Sequence, residues 1–386
     1  MLRALDLKPG PIPCCFMSFT ALRRRHHDDW FEVARAERAM GLDAMLFIPT
    51  APRAQRLEHP DLRGLPVRFD PRVESREWSE APEGDFVLHR EYMTPGGRLT
   101  TSVRPSTDWP HGEHIPFVDD FQVPRTMKPL ITSPEDLVAL QYLLMPPTEA
   151  DIRRFREEAN RARAFMQEHG VLLAGGWGVG LDLANWLCGM QDLMLMAMDD
   201  PGFVVELLEM IHQWNIRRMA VVLSAPVDLF IRRAWYEGCD FVTPQFYQRA
   251  VLPRLKLEVD LAHEHGARFG YICSSGTRPM LDDYLAAGID VLIGIDPIQG
   301  THTDMALLKA KLGRRVCLWG GVSGAITVEQ GTEQEVRAAV GQAIGALGPT
   351  GLILSPVDNI TVDTPRTWHN INILVDEWQR NAGPSL

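Results

Sequence analysis

From residue 170 onward the sequence keeps one rhythm: short apolar runs alternate with longer amphipathic stretches. The runs are VLLAG (171–175), DLFIRR (228–233), RFGYIC (268–273), IDVLIG (289–294), RVCLW (315–319) and GLILS (351–355). Each is too short for a helix, and most are bounded by Gly, Pro or Asp, as strands covered on both faces are. Helical periodicity fills the stretches between them, at 201–224, 244–265 and 332–346. Strands alternating with helices imply right-handed βαβ units and a parallel sheet. Two earlier runs, IPCCFMS (12–18) and DAMLFIP (43–49), flank a helical stretch at about 28–40 and bring the count to eight. Eight is the strand number of a TIM barrel, so an α/β (β/α)8 barrel is expected. An open, doubly wound sheet is the competing arrangement.

Residues 60–130 break this rhythm. They are rich in Pro, Gly and charge, and include FVLHREYMTPGGRLTTSVRP with Pro95-Gly96-Gly97 at its centre. Alternation around a Gly-Gly turn reads as a β-hairpin. The expectation is one domain over 1–386, with 60–130 as a hairpin-containing insertion after the second strand. That insertion acts as a lid or wall of the barrel mouth, or is a peripheral excursion. Ser133-Pro134-Glu135-Asp136 marks a helix start, and 148–169 reads as a long charged helix.

Composition narrows the partners. The chain has 386 residues, 45% of them hydrophobic and 23% charged, which suits a globular protein with a full core. Its net charge of −11 argues against nucleic acid or an anionic membrane surface as the main partner. No run approaches the ~20 apolar residues of a membrane-spanning helix. The N-terminal MLRALDLKPGPIP does not read as a secretory signal. The six cysteines contain no CxxC pair, so a reducing cytoplasm is expected.

In a barrel, chemistry gathers where strands end and βα loops begin. Gly175-Gly176-Trp177-Gly178 follows the first of the later runs; it permits a tight turn or a close ligand approach. Arg232 and Arg233 point to opposite faces of a regular strand, so one of them needs a carboxylate inside. A salt bridge to Glu237 or Asp240 and recognition of a substrate carboxylate are both open readings. Trp235 and Tyr236 suit packing or a flat ligand. Tyr271 and Cys273 share a face. Cys273 is then a zinc ligand, a nucleophile or a buried structural thiol. Asp296 and His302 follow the 289–294 run, and Asp358 follows the last strand, where it could give an oxygen ligand or a base. His26 and His27 sit beside Arg23, Arg24 and Arg25, which suits an anionic ligand or a solvated helix entry. Cys14, Cys15 and Cys317 read as small buried apolar residues.

Several segments resemble the uroporphyrinogen decarboxylase superfamily, which includes corrinoid-dependent methyltransferases. They are the helix around 253–266, YICSSGTRPMLDDYLAAGIDVL (271–292), RVCLWGGVSG (315–324), LSPVDNITVDTPRTWHNI (354–371) and GMQDLMLMAMDDPGFVVELLEMI (189–211). The resemblance covers roughly 130–380. Methyl-transferring members carry His-x-Cys at the start of the 271 motif and a further Cys on the last βα loop, and these bind zinc. Here those positions hold Tyr271, Cys273 and Asp358. Tyr is a poor ligand at neutral pH because its pKa is about 10, so zinc would call on a further ligand such as Glu237 or His302. The decarboxylases carry an Arg-Gln-Ala-Gly-Arg segment near the N-terminus, whereas this chain has PCCFMSFTALRRRHH. They also place a His where Asp358 stands.

The resemblance therefore implies methyl transfer between a small methylated substrate and a corrinoid (cobalamin) cofactor held on a partner protein. Cys273 and Asp358 are the expected metal ligands, and with Glu237 the catalytic residues. Trp177, Arg232, Arg233, Trp235, Tyr236, Tyr271 and His302 are expected to line the substrate. A decarboxylase-like lyase acting on another carboxylated substrate, and a non-catalytic corrinoid- or tetrapyrrole-binding barrel, are the alternatives. A homodimer is a further option.

Overall fold

Among the described residues, eleven strands form two sheets, numbered here in chain order. The parallel sheet is built of β1 (Met45–Ile48), β6 (Leu172–Gly178), β7 (Leu229–Arg233), β8 (Arg268–Ile272), β9 (Val291–Ile295), β10 (Cys317–Ser323) and β11 (Leu352–Val357). Every residue of β1, β6, β7, β9, β10 and β11 is buried, as the short apolar runs require. The strands lie side by side in strict chain order. A doubly wound sheet would reverse direction at a switch point; this one does not, and the arrangement is TIM-barrel-like. The computed structural model describes residues 1–49, 58, 59, 62, 65–81, 84–299 and 303–382.

The run 12–18, expected as a full strand, makes only a single parallel bridge, Cys14 to Leu354. Pro13 lacks an N–H, so a regular ladder cannot run through it. The segment still joins the two edges of the sheet. Leu354 N–H donates to Pro13 O at 2.9 Å and Cys15 N–H to Leu354 O at 3.0 Å, while Asp43 N–H donates to Cys14 O at 2.8 Å. The fully buried Trp319 of β10 adds a bond from Nε1 to Cys15 O at 2.9 Å. Seven strands and one bridging segment thus stand where eight strands are expected.

The helices between strands start where the sequence offers caps. Thr332 and Glu335 form a reciprocal capping box ahead of the helix Glu333–Leu347. Thr364 caps Pro365–Asn381 and Asp29 caps Trp30–Ala39. Gly288 ends Leu281–Ala287 in the left-handed conformation.

Gly320 shows how tightly the strand ends meet. A Cβ there would lie 2.7 Å from both the N and the O of Ile295 and 2.9 Å from Val357 Cγ2, at a φ of +143°. The ends of β9, β10 and β11 therefore close on one point where only glycine fits. Gly320→Ala is expected to lower stability by about 2–3 kcal/mol, from overpacking and positive-φ strain together. Urea denaturation measures it, and an unchanged midpoint would show that these ends are loose.

The chain divides into two compact units. The first, Met1–Ile48, Glu158–Gly175 and Ala225–Leu386, contains the strand ends described above. The second, Pro49–Glu157 and Gly176–Ser224, contains an antiparallel sheet of β2 (Glu74–Glu80), β3 (Val87–Thr94), β4 (Gly97–Val103) and β5 (Thr126–Lys128). β3 and β4 pair as a hairpin whose register ends at Thr94 opposite Gly97. A Cβ on Gly96 would meet Val138 O at 2.1 Å, so the turn also needs a glycine for close backbone approach. Phe69, Tyr92 and Phe117 pack edge to face beneath this sheet, with ring centres 5.2–6.0 Å apart. The helix Pro201–Leu223, capped by Asp200, belongs to this unit.

Candidate active site

β7 ends in Arg232-Arg233, and both side chains are buried. Arg232 lies opposite Tyr271 in the β7–β8 register, so their side chains leave the sheet as neighbours. The Arg232 guanidinium carbon stands 5.9 Å from the centre of the Tyr271 ring. After Arg233 the chain turns sharply, with Glu237 N–H donating to Ala234 O at 3.2 Å. Gly238 allows the turn to press on the loop after β8: a Cβ there would lie 2.0 Å from Ser275 O. Cys239 N–H donates to Gly276 O at 3.0 Å and pins the two loops together. This places Glu237 against Arg232 and Tyr271.

The result is a buried network of charge. Arg232 Nη2 donates to Glu237 Oε1 at 2.5 Å, and Nη1 donates to Glu258 Oε2 at 2.8 Å. The Tyr271 hydroxyl donates to Glu237 Oε2, and the Tyr247 hydroxyl donates to that of Tyr271 at 3.3 Å. Arg232, Glu237 and Glu258 are each no more than 2% exposed. An isolated buried charge is costly, and one that is paired and hydrogen-bonded is tolerated. Burial opposes the Arg232 charge, but Glu237 and then Glu258 outweigh it and raise the guanidinium above its ordinary value. Burial first, and then the Glu237 carboxylate, push the Tyr271 phenol well above its ordinary value. Tyr271 is therefore a neutral hydrogen-bond donor at physiological pH.

Glu258 and Tyr247 complete this network and are absent from the sequence-based candidates. Glu258 had a readable signal. It lies in the helix Leu252–Glu264, whose buried residues are Leu255, Glu258, Val259 and Ala262. A glutamate on that stripe, at helical spacing, calls for a buried cation. Tyr247 offers no such signal.

A second group gathers at the ends of β7, β9 and β11. Asp358, just beyond β11, has a φ of +73°, a conformation aspartate accepts more readily than most residues. It keeps contact with solvent, yet protein crowded round its carboxyl raises its pKa above the ordinary value; Arg233 pulls it down, and Asp296 adds to the rise. A carboxyl raised in the folded state binds protons there that the unfolded chain has already released. Stability therefore falls as pH rises from the ordinary aspartate value, near 3.8, through the raised folded value. Asp358→Asn, which keeps a residue tolerant of this backbone, is expected to be more stable than the parent near neutral pH. The gain should vanish below about pH 4. Melting curves against pH check this, and a variant less stable at neutral pH would reverse the sign.

The other expected site residues fall as follows. Cys273 is buried, and its thiol donates to Ser275 O at 3.4 Å. Trp235 and Tyr236 are half-buried in the turn before Glu237, and the Tyr236 ring packs on Phe241 at 5.2 Å. Trp177 is buried near the end of β6, in the second unit. His302 lies outside the described residues. Arg232, expected to bind either a substrate anion or an internal carboxylate, holds Glu237 and Glu258.

The described residues do not fit a zinc centre. The Tyr271 hydroxyl is engaged with Glu237 and Tyr247, and the Cys273 thiol with a backbone carbonyl. Among the described residues no group of three or more His, Cys, Asp or Glu is placed to hold a metal ion. A structural or catalytic zinc needs three or four such ligands. Among the described residues, the metal role expected for Cys273 with Asp358 therefore finds no third ligand to complete it. Elemental analysis of the dialysed protein is expected to give zinc well below one per chain, unchanged in Cys273→Ala; stoichiometric zinc lost in that variant would contradict this.

The family model described as uroporphyrinogen decarboxylase (URO-D) matches residues 111–380. No curated protein matches the chain. Among solved structures, a methyltransferase from Methanosarcina mazei is similar at 15% identity with a TM-score of 0.58, covering 98% of this chain and 97% of that one. A B12-independent methionine synthase from Shewanella sp. W3-18-1 aligns at 12% identity with a TM-score of 0.42, covering 58% of this chain and 65% of that one.

Proposed function

The chain belongs to the uroporphyrinogen decarboxylase family, and from that premise we propose that it is a methyltransferase moving a methyl group from a small methylated substrate to a corrinoid presented by a partner protein. The fold shared with the Methanosarcina mazei methyltransferase over nearly the whole chain supports this reading. The observation that carries it is the Arg232–Glu237–Tyr271 network, in which Tyr271 stands at one of the positions where the resemblance places a zinc ligand. A corrinoid, when bound, supplies the centre that accepts the methyl group.

The work of this chain is then on the leaving side. When the bond between the methyl carbon and the substrate heteroatom breaks, the electron pair stays on the heteroatom, which must take up a proton. Glu237, a carboxylate paired with Arg232 at rest, is assigned the relay of that proton: it takes up the Tyr271 hydroxyl proton as the leaving atom draws a proton from the carboxyl. Tyr271 and Tyr247 form the hydroxyl chain that restores it, and Arg232 with Glu258 fixes the carboxyl in place. Acid assistance replaces a metal as the means of activating the leaving atom. Trp235 and Tyr236 are assigned to one wall of the substrate space. A lyase would need an anion grip. Arg232 is committed to two carboxylates of its own, which favours methyl transfer over decarboxylation. The test is anaerobic incubation with cob(I)alamin and a panel of methyl ethers, thioethers and amines, followed by visible absorbance.

A further inference from the structure

We propose that Asp296, with Asp358 beside it, is a ligand-binding carboxylate that receives a protonated amine at the C-terminal ends of the parallel strands. Asp296 directly follows β9 and is fully buried. Its Oδ1 is satisfied by two loop amides, Ile298 N–H at 2.8 Å and Gln299 N–H at 3.1 Å. Its Oδ2 is buried and has no hydrogen-bond partner among the described residues. Leaving a buried charged acceptor unmade costs a few kcal/mol, and native structures rarely retain one without a use.

Where that oxygen sits is set by the backbone. Ile295 and Val357, the residues just before Asp296 and Asp358, both crowd the missing Cβ of Gly320. The two aspartates therefore leave the ends of β9 and β11 on either side of Gly320 in β10, and the charge of Asp296 is felt at Asp358. Arg233 acts on Asp358. Among these three groups there is one guanidinium for two carboxylates, and the oxygen lacking a donor belongs to Asp296. A ligand that brings both N–H donors and positive charge meets both shortages; an anionic ligand meets neither. The amine is a recognition handle, separate from the heteroatom that bears the methyl group. This inference names the ligand chemistry of the strand-end face and rests on the methyltransferase reading only for what happens to the ligand afterwards.

Binding is tested without turnover, so failure here and failure of methyl transfer are told apart. Saturation-transfer NMR on the full chain is run with n-propylammonium, propionate and n-propanol. The parent is expected to bind propylammonium and to prefer it over both controls. Asp296→Asn, isosteric and uncharged, should weaken that binding about tenfold or more with its melting temperature retained. Asp358→Asn should weaken it less, and it carries the test if Asp296→Asn does not fold. Propylammonium affinity unchanged in the folded variants, no propylammonium binding to the parent, or preference for propionate would each overturn the proposal.

Discussion

Arg232→Ala is expected to lower the unfolding free energy by about 3–5 kcal/mol, because it leaves two buried carboxylates facing each other with no counter-charge. Glu237 and Glu258 are both essentially without solvent contact, and each takes one nitrogen of the same guanidinium. Once the cation is gone, one or both acids must protonate or draw in water. Arg232→Lys should recover only part of the loss, since an ammonium is a point charge and cannot present the guanidinium fork. Replacing the three residues together by Met, Leu and Leu should restore most of the stability, because apolar groups of similar volume often equal a buried ion group. The same triple variant should be inactive. Urea denaturation of all three proteins checks the series, and a loss below about 1 kcal/mol for Arg232→Ala would mean the network is open to water.

Glu237→Gln should lower kcat by about 10²- to 10⁴-fold, the usual worth of a positioned proton donor. The amide keeps the shape of the carboxyl and can still accept from Arg232, but it cannot take up a proton and pass it on. Tyr271→Phe removes the hydroxyl bonded to Glu237 and should cost less, about tenfold, because Glu237 keeps its hold on Arg232. The order of the two effects separates delivery of the proton from its restoration. Substrates with a better leaving group should narrow the Glu237→Gln deficit, as a purely structural role would not. Single-turnover rates across a leaving-group series measure this, and a deficit of the same size for every leaving group would assign Glu237 to structure alone.

Much of the parallel sheet was legible because buried parallel strands read as short apolar runs between turn residues. Six runs after residue 170 became β6 to β11, and 43–49 became β1. The run 12–18 looked the same by composition, but Pro13 within it limits pairing to one bridge. The hairpin at 87–103 was readable from its Gly-Gly turn, whereas β2 was not. Its sequence ESREWSE lies almost wholly exposed, so no apolar alternation marks it as a strand.

The site was legible in part. Arg232 and Glu237 stand five residues apart across a strand end, close enough to suggest a pair from sequence alone. Tyr271 read as a substituted zinc ligand; its bond to Glu237 depends on the β7–β8 register, which no single run contains. Glu258 was hidden for the opposite reason. Charged residues on helices normally face solvent, and only its place among Leu255, Val259 and Ala262 gives it away.

Methyl transfer to cob(I)alamin is followed in the anaerobic absorbance assay, with parent and Glu237→Gln side by side. Loss of the cob(I)alamin spectrum and growth of methylcobalamin are expected with at least one methylated substrate, at a rate that falls at least about a hundredfold in Glu237→Gln. The methyltransferase reading is contradicted if the corrinoid spectrum is unchanged across the panel while a carboxylated tetrapyrrole releases carbon dioxide, or if Glu237→Gln transfers methyl groups at the parent rate.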